Sequence, residues 1–461
     1  MAQLPQVVLR MLLAVFAALL AVGSAVEAHG DHNMDGSAGV LPDDAGFYHW
    51  PEEPMRWALK VHLALCFIAH VLVFPVALIM DIANNRFHPL VQLGGALIAF
   101  LGMVFGWVNG HLHNTYARFG WFMLSLLAVQ TAANLCIVLS VLKKSPALSL
   151  LYRALGVLQL VFTYMGMVLG VVRYLNLCSQ GHLGQCISHF VRGSVLIAAS
   201  VALLLFLRLF GAAMLGVKRP PELYASIVMM TVGLIGTFTE HNFFQSSSDD
   251  SWSHKDLQHT LIGVSWFAGG ALGVLMTWRS HPRERTPIPS IIFIATGVSM
   301  IIHQQDLAMS SRAHFLFGAS LVCLGLANIC EITLMGSGIV KDTDEAQGIQ
   351  YLSVFFMCAS GMALMGANRD MILFLINAKI DIATYGLILM SFCFVVIFYF
   401  YVLIDLYFAL AGPPEARYAS LEEALEEGPA LDGQRDSTSS QASTLNHDSG
   451  NKYLSADPLS V

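Results

Sequence analysis

The chain has 461 residues, of which 56% are hydrophobic and only 12% charged, and its mean hydropathy is +0.63. Soluble proteins carry about a quarter charged residues, so this balance excludes an ordinary soluble multidomain protein. A net charge of −7 likewise excludes a broadly basic nucleic-acid binder, and what remains is a lipid-embedded chain with 17 histidines.

At the N-terminus, Arg10 precedes an apolar run from Met11 to Val22, followed by Val26-Glu27-Ala28. The run is shorter than the ~20 residues a span needs, and its order is that of a secretory signal peptide, predicted over 1–28. An extracytoplasmic leader, 29–57, carries His29, His32 and His49. Eleven apolar segments follow, over 59–82, 89–108, 120–142, 155–172, 190–209, 224–239, 261–278, 288–302, 314–334, 352–375 and 382–410. The expected fold is therefore an all-α polytopic transmembrane helix bundle. A composition break at Lys218-Arg219-Pro220-Pro221-Glu222 divides a five-span domain, 58–217, from a six-span domain, 218–412. The segment 413–461 is Glu-rich and then Ser/Thr/Gln-rich, which predicts a disordered tail able to serve as a partner-binding element.

A cleaved signal peptide and eleven crossings put the mature N-terminus outside and the tail in the cytoplasm. The basic clusters Lys143-Lys144 with Arg153, Arg208 with Lys218 and Arg219, and Arg279 with Arg283 and Arg285 then all fall inside, as the positive-inside rule requires. This predicts a secretory-pathway membrane: endoplasmic reticulum, vacuole or plasma membrane. Cys178 and Cys186 fall in one outside loop, where the compartment permits a disulfide and two free thiols are the alternative.

With that topology, thirteen of the seventeen histidines lie outside or at the outer end of a span. Ionisable groups inside spans are costly unless paired, which singles out His62, His70, His189, His259, His303 and His314 over the histidines of the loops. The richest stretch is Glu240-His241, Asp256 with His259, then His303 and His314. Imidazoles and carboxylates at one face are what zinc or copper needs, so these six residues are the candidate metal ligands. Glu331 lies 17 residues past His314, about 25 Å along a helix, and cannot share a compact site with it. His-Glu-x-x-His is absent, and so is a phosphate-binding Gly loop, which argues against a nucleotide-driven pump. Ser299, Ser310 and Ser311 neighbour His303 and Asp306, but nothing sets a nucleophile on a sharp elbow, so hydrolysis has little support.

Lys255-Asp256-Leu257-Gln258-His259-Thr260 with Trp266, Ile288-Pro289-Ser290, His303, His314 with Phe317-Gly318, and Glu331-Ile332 resemble the C-terminal domain of the fungal Ytp-type multi-span membrane proteins. The run from Cys178 to Ser194 resembles the end of the same family's N-terminal domain. The resemblance implies an N-terminal bundle similar to the transmembrane cytochromes of the b561 kind, and a link to electron transport. In that pattern, histidines on facing helices hold haem. His62, and His88 with Gln92, suit the pattern, and Gly120 with Gln130 keep its spacing, but Tyr116 and Tyr152 stand where histidines are expected. His88 thus lacks an inner partner, which leaves either a b561-like bundle that has lost haem or one with a single outer haem b, held by His62 or His70 with His113 or His189.

Three functions follow from these residues. The first is an oxidoreductase-like electron carrier with an outer-face haem or metal, and the second is extracytoplasmic zinc or copper binding or handling. The third is a non-catalytic scaffold or trafficking protein whose histidines report lumenal pH.

Overall fold

The computed structural model describes residues 57–108, 115–138, 146–178, 183–210, 220–239, 254–278, 285–303, 305–336 and 348–412. The predicted signal peptide, the leader up to residue 56 and the tail from 413 onward lie outside the described residues, as do the side chains of His113, Glu240, His241 and Asp256. The described residues form helices and no strand: α1 (Trp57–Ile82), α2 (His88–Val108), α3 (Thr115–Val138), α4 (Pro146–Tyr174), α5 (Leu183–Phe210), α6 (Pro221–Thr239), α7 (His254–Trp278), α8 (Ile288–Ile301), α9 (Ala308–Gly336), α10 (Gly348–Gly366), α11 (Arg369–Asn377) and α12 (Ile382–Ala411). Ten of these are long and apolar enough to cross a membrane. The chain is an all-α integral membrane bundle in contact with lipid.

Two expected spans differ from the structure. The segment 288–302 yields α8, a 14-residue helix of about 21 Å, short of the ~30 Å hydrocarbon core. Its flanks complete the reach, because Arg285 before it and His303 after it touch opposite ends of the neighbouring helices. The segment 352–375 is not one helix but two. The chain breaks after Gly366, and Asn368 caps the new helix α11 by accepting from Met371 N at 2.9 Å while its amide donates to Met365 O at 2.7 Å. An Asn N-cap with Asp370 in the following turn is a start signal strong enough to interrupt an apolar run.

Within α1, Ile68–Val73 forms a π-helical turn in which Phe74 N donates to Ala69 O. Pro75 brings no N–H to the ladder, which frees the Val71 carbonyl. Tyr399 of α12 donates its hydroxyl to that carbonyl at 2.6 Å, tying the last helix to the first.

Three charged groups of the described residues stand at one end of the bundle. Arg153 donates to Asp81 at 3.0 Å, Arg208 pairs with Asp405, and Arg285 bridges Glu222 and Glu331, the latter at 3.0 Å. Glu331 also accepts from Gln350 at 3.2 Å. At the other end of the same helices lie His62, His189, His259, His303 and His314, together with a disulfide between Cys178 and Cys186.

Helices α5 to α10 pack through glycine. A Cβ on Gly297 of α8 would stand 2.5 Å from the Gly318 carbonyl of α9, and one on Gly193 of α5 would stand 2.6 Å from the Gly361 carbonyl of α10. Small residues let helix backbones approach in lipid, where the hydrophobic effect does not drive helices together. Ser200 of α5 strengthens the α5–α10 seam by donating to Val354 O at 2.7 Å.

Candidate functional site

Because α5 is seated on α10, it carries His189 towards α9 rather than towards His62 or His70. The result is a row of four imidazoles from the histidine end of three helices and one connecting turn. His189 and His314 have ring centres 6.0 Å apart, His314 and His303 are 5.8 Å apart, and His303 and His259 are 5.4 Å apart. His303 and His314 are only 4% and 3% exposed.

Local hydrogen bonds fix the tautomers of the central pair. His314 sits in the first turns of α9 and donates from Nδ1 to Ser310 O at 2.8 Å, one turn back. Gln258 of α7 donates its amide to Ser299 Oγ at 3.0 Å, so its carbonyl oxygen is the atom turned to His303 Nδ1. His303 therefore carries its proton on Nδ1, and in both rings Nε2 is the nitrogen with the lone pair. This is the arrangement in which metal-ligating histidines are held by their surroundings. Two imidazoles on one zinc or copper ion have centres about 5 to 6 Å apart, given metal–nitrogen bonds of about 2.0 Å.

The row is a string of pairs rather than a cage. Among the described residues no group of three or more His, Cys, Asp or Glu is gathered to hold a metal. A cleft of about 370 Å³ opens beside the row between α7 and α8, lined by Leu261, Ile292, Thr296 and the Gln258–Ser299 pair. The end of the bundle is roofed by α11. Its Ile372, Leu373 and Leu375 pack with Leu307 and Ala313 of the α9 entry and with Phe190 and Cys186 of α5. The break in the expected tenth span thus places an apolar helix against the entry of α9 and the start of α5.

The residues expected around a haem are arranged differently. His62 donates from Nδ1 to Gly102 O at 2.8 Å, and its Nε2 meets the Tyr116 hydroxyl at 3.4 Å. A Cβ on Gly106 would stand 2.9 Å from the same ring, so α2 lies flat against it. His70 lies two turns further along α1, its ring 5.2 Å from that of Phe74. At the opposite end His88 faces Tyr152, ring centres 6.3 Å apart, and approaches Asp81 at 3.5 Å. Each end of the α1–α4 bundle thus holds a His–Tyr couple whose rings meet edge-on or tilted. Among the described residues the ring next to His62 is that of Tyr116 and the ring next to His88 is that of Tyr152.

Sequence reasoning missed Gln258, which orients His303, and the buried carboxylates Asp81 and Glu222. The Gln258 signal was legible in retrospect: it stands directly before His259, at the start of a predicted span.

A family model described as Protein YTP1-like, C-terminal, matches residues 162–408, and a domain of unknown function (DUF2427) matches residues 44–140. Protein YTP1 of Saccharomyces cerevisiae is 31% identical over 280 residues, covering 61% of this chain and 59% of that protein. Uncharacterized membrane protein C3B8.06 of Schizosaccharomyces pombe is 21% identical over 228 residues, covering 40% of this chain and 44% of that protein. The matches thus span less than two thirds of either relative. No solved structure matches the chain.

Proposed function

This chain belongs to the YTP1-like family of multi-span membrane proteins, and from that premise we propose that it binds a copper or zinc ion at the His303–His314 pair. The observation that carries this reading is the paired tautomer control, in which both Nδ1 protons are committed to carbonyl oxygens, Nε2 carries the lone pair in each ring, and the two rings stand 5.8 Å apart. His189 and His259, at 6.0 and 5.4 Å from the pair, are the flanking donors. Gln258 and the Ser310 carbonyl hold the two rings, and α11 packs against the entry of α9. Two principal ligands leave coordination positions open, which suits a site that takes up and passes on a metal better than a purely structural one. When bound, copper would supply one-electron exchange and zinc a fixed positive charge.

The disulfide Cys178–Cys186 stands at the same end of the bundle, and disulfides persist in oxidising compartments. Arg153, Arg208 and Arg285, the described members of the basic clusters, stand at the other end. Both support a histidine end outside the cytoplasm of a secretory membrane and a tail within it, where the tail is the segment to test for protein partners. A haem-based electron carrier has no comparable support, since the b561-like positions pair histidine with tyrosine.

The test is metal content of the full chain, purified without chelator. Copper or zinc is expected near one ion per chain, falling to background in the His303→Ala/His314→Ala variant. An unchanged content in that variant would overturn the assignment.

A further inference from the structure

The first four helices enclose a second set of polar side chains, remote from the histidine row. Gln92 of α2, Gln130 of α3 and Gln159 of α4 are 2%, 3% and 2% exposed. Gln92 Nε2, Gln130 Oε1, both amide atoms of Gln159, Thr163 Oγ1 and His70 Nδ1 are buried and meet no hydrogen-bonding partner in the protein. All of them lie inside apolar spans, where an unmet polar group has no lipid partner.

Close contacts fix how these residues stack. Gly106 lies against His62, Gly102 against Cys66 and Gly95 against Phe74, so α1 and α2 run antiparallel with Gln92 one turn beyond Phe74. Gly170 lies against Tyr116, Gly166 against Phe119 and Gly156 against Gln130, which sets the α3–α4 register. Gly156 also meets Leu78, and Arg153 reaches Asp81, which sets α4 against α1. In that frame Thr163 stands level with His70, Gln159 one turn lower, and Gln130 and Gln92 a turn lower again. Asn134, fully buried, follows beside the Pro89 carbonyl to which it donates at 3.0 Å. The file is closed at one end by His62 with Tyr116 and Cys66, and at the other by Asp81 with His88, Tyr152 and Arg153.

The π-helical turn belongs to the same device. It falls on the residues around His70, and π turns inside α-helices recur at functional positions. Each unmet buried amide costs about 1–3 kcal/mol, and five residues at successive levels of one bundle are too ordered an expense to be incidental. Buried polar groups of this kind are ordinarily satisfied by ordered water.

We propose that the α1–α4 bundle holds a hydrated polar file that conducts protons between its two ends, with His70 as the exchanging group at mid-depth. A proton enters at one terminal group, passes along hydrogen-bonded water and His70, and an equivalent proton leaves at the other, so no net bond is made. The titratable and charged groups facing the file are Cys66, His62 and Tyr116 at one end, Tyr399 of α12 beside Val71, and Asp81, His88, Tyr152 and Arg153 at the other end.

The test is proton flux in liposomes containing the full chain, with an internal pH dye, an imposed pH step and the membrane potential clamped by potassium and valinomycin. The pH step should collapse faster than in protein-free vesicles. Gln130→Leu/Gln159→Leu and His70→Ala should each slow it severalfold while eluting as the wild type does on gel filtration. Wild-type flux no greater than that of empty vesicles would overturn the proposal, and so would an undiminished rate in the glutamine variant.

Discussion

In α1–α4 three buried glutamines lie in the middle of the spans and meet few protein partners, whereas in α5–α12 the buried histidines and the Glu222–Arg285–Glu331 group lie towards the helix ends in contact with one another. Gln92, Gln130 and Gln159 stand for the first kind, and the Gln258–His303 pair and the Glu222–Arg285–Glu331 bridge for the second. Packing divides in the same way. The later helices meet backbone to backbone at Gly297–Gly318 and Gly193–Gly361, while in the earlier ones Gly95, Gly106 and Gly156 meet side chains and Gly120 has only Met103 near it. Close helix contact fixes side chains to the precision a metal pair needs, and looser contact leaves room for a polar interior.

This comparison can be broken at several points. The largest effect is expected from Arg285→Leu, which leaves Glu222 and Glu331 buried without their shared cation. Removing one partner of a buried ionic group costs about 3–5 kcal/mol, and thermal denaturation in detergent should show a severely destabilised protein. Gly297→Ala should come next, because its Cβ would meet the Gly318 carbonyl at 2.5 Å. Overpacking of this kind costs about 1–3 kcal/mol, and the same melt should also show weakened metal retention as α8 and α9 separate. Gly120→Ala is the matched change in the looser half, with only a 3.7 Å contact to Met103, and it should leave the melt unchanged or slightly raised. If both glycines respond alike, the contrast in packing fails. Asn368→Ala removes the α11 cap and should cost about 1 kcal/mol, seen as a small fall in melting temperature and faster proteolysis next to α11.

Much of the architecture was legible because long apolar runs have few solutions in a bilayer. Glu331 was correctly separated from His314 by helix rise alone, and its partner proved to be Arg285. The break inside 352–375 was written in Asn368-Arg369-Asp370, a capping residue and charges within an apolar run, but the length of the run masked it. The pairing of His189 with His314 was not legible, since it depends on α5 docking to α10 through Gly193 and Gly361. Tyr116 and Tyr152 were legible as departures from the b561-like pattern, yet only the structure places each against its histidine. Gln92 and Gln130 stood out by spacing, but their depth and missing partners depend on three-dimensional register.

The central claim is that two imidazoles with fixed tautomers hold a metal at the buried end of the bundle. X-ray absorption at the copper or zinc edge of the metal-loaded full chain tests it most directly. The account predicts nitrogen scatterers at about 2.0 Å with the outer-shell pattern of imidazole, lost in His303→Ala/His314→Ala. A first shell of oxygen or sulfur alone, or a spectrum unaltered in that variant, would contradict it.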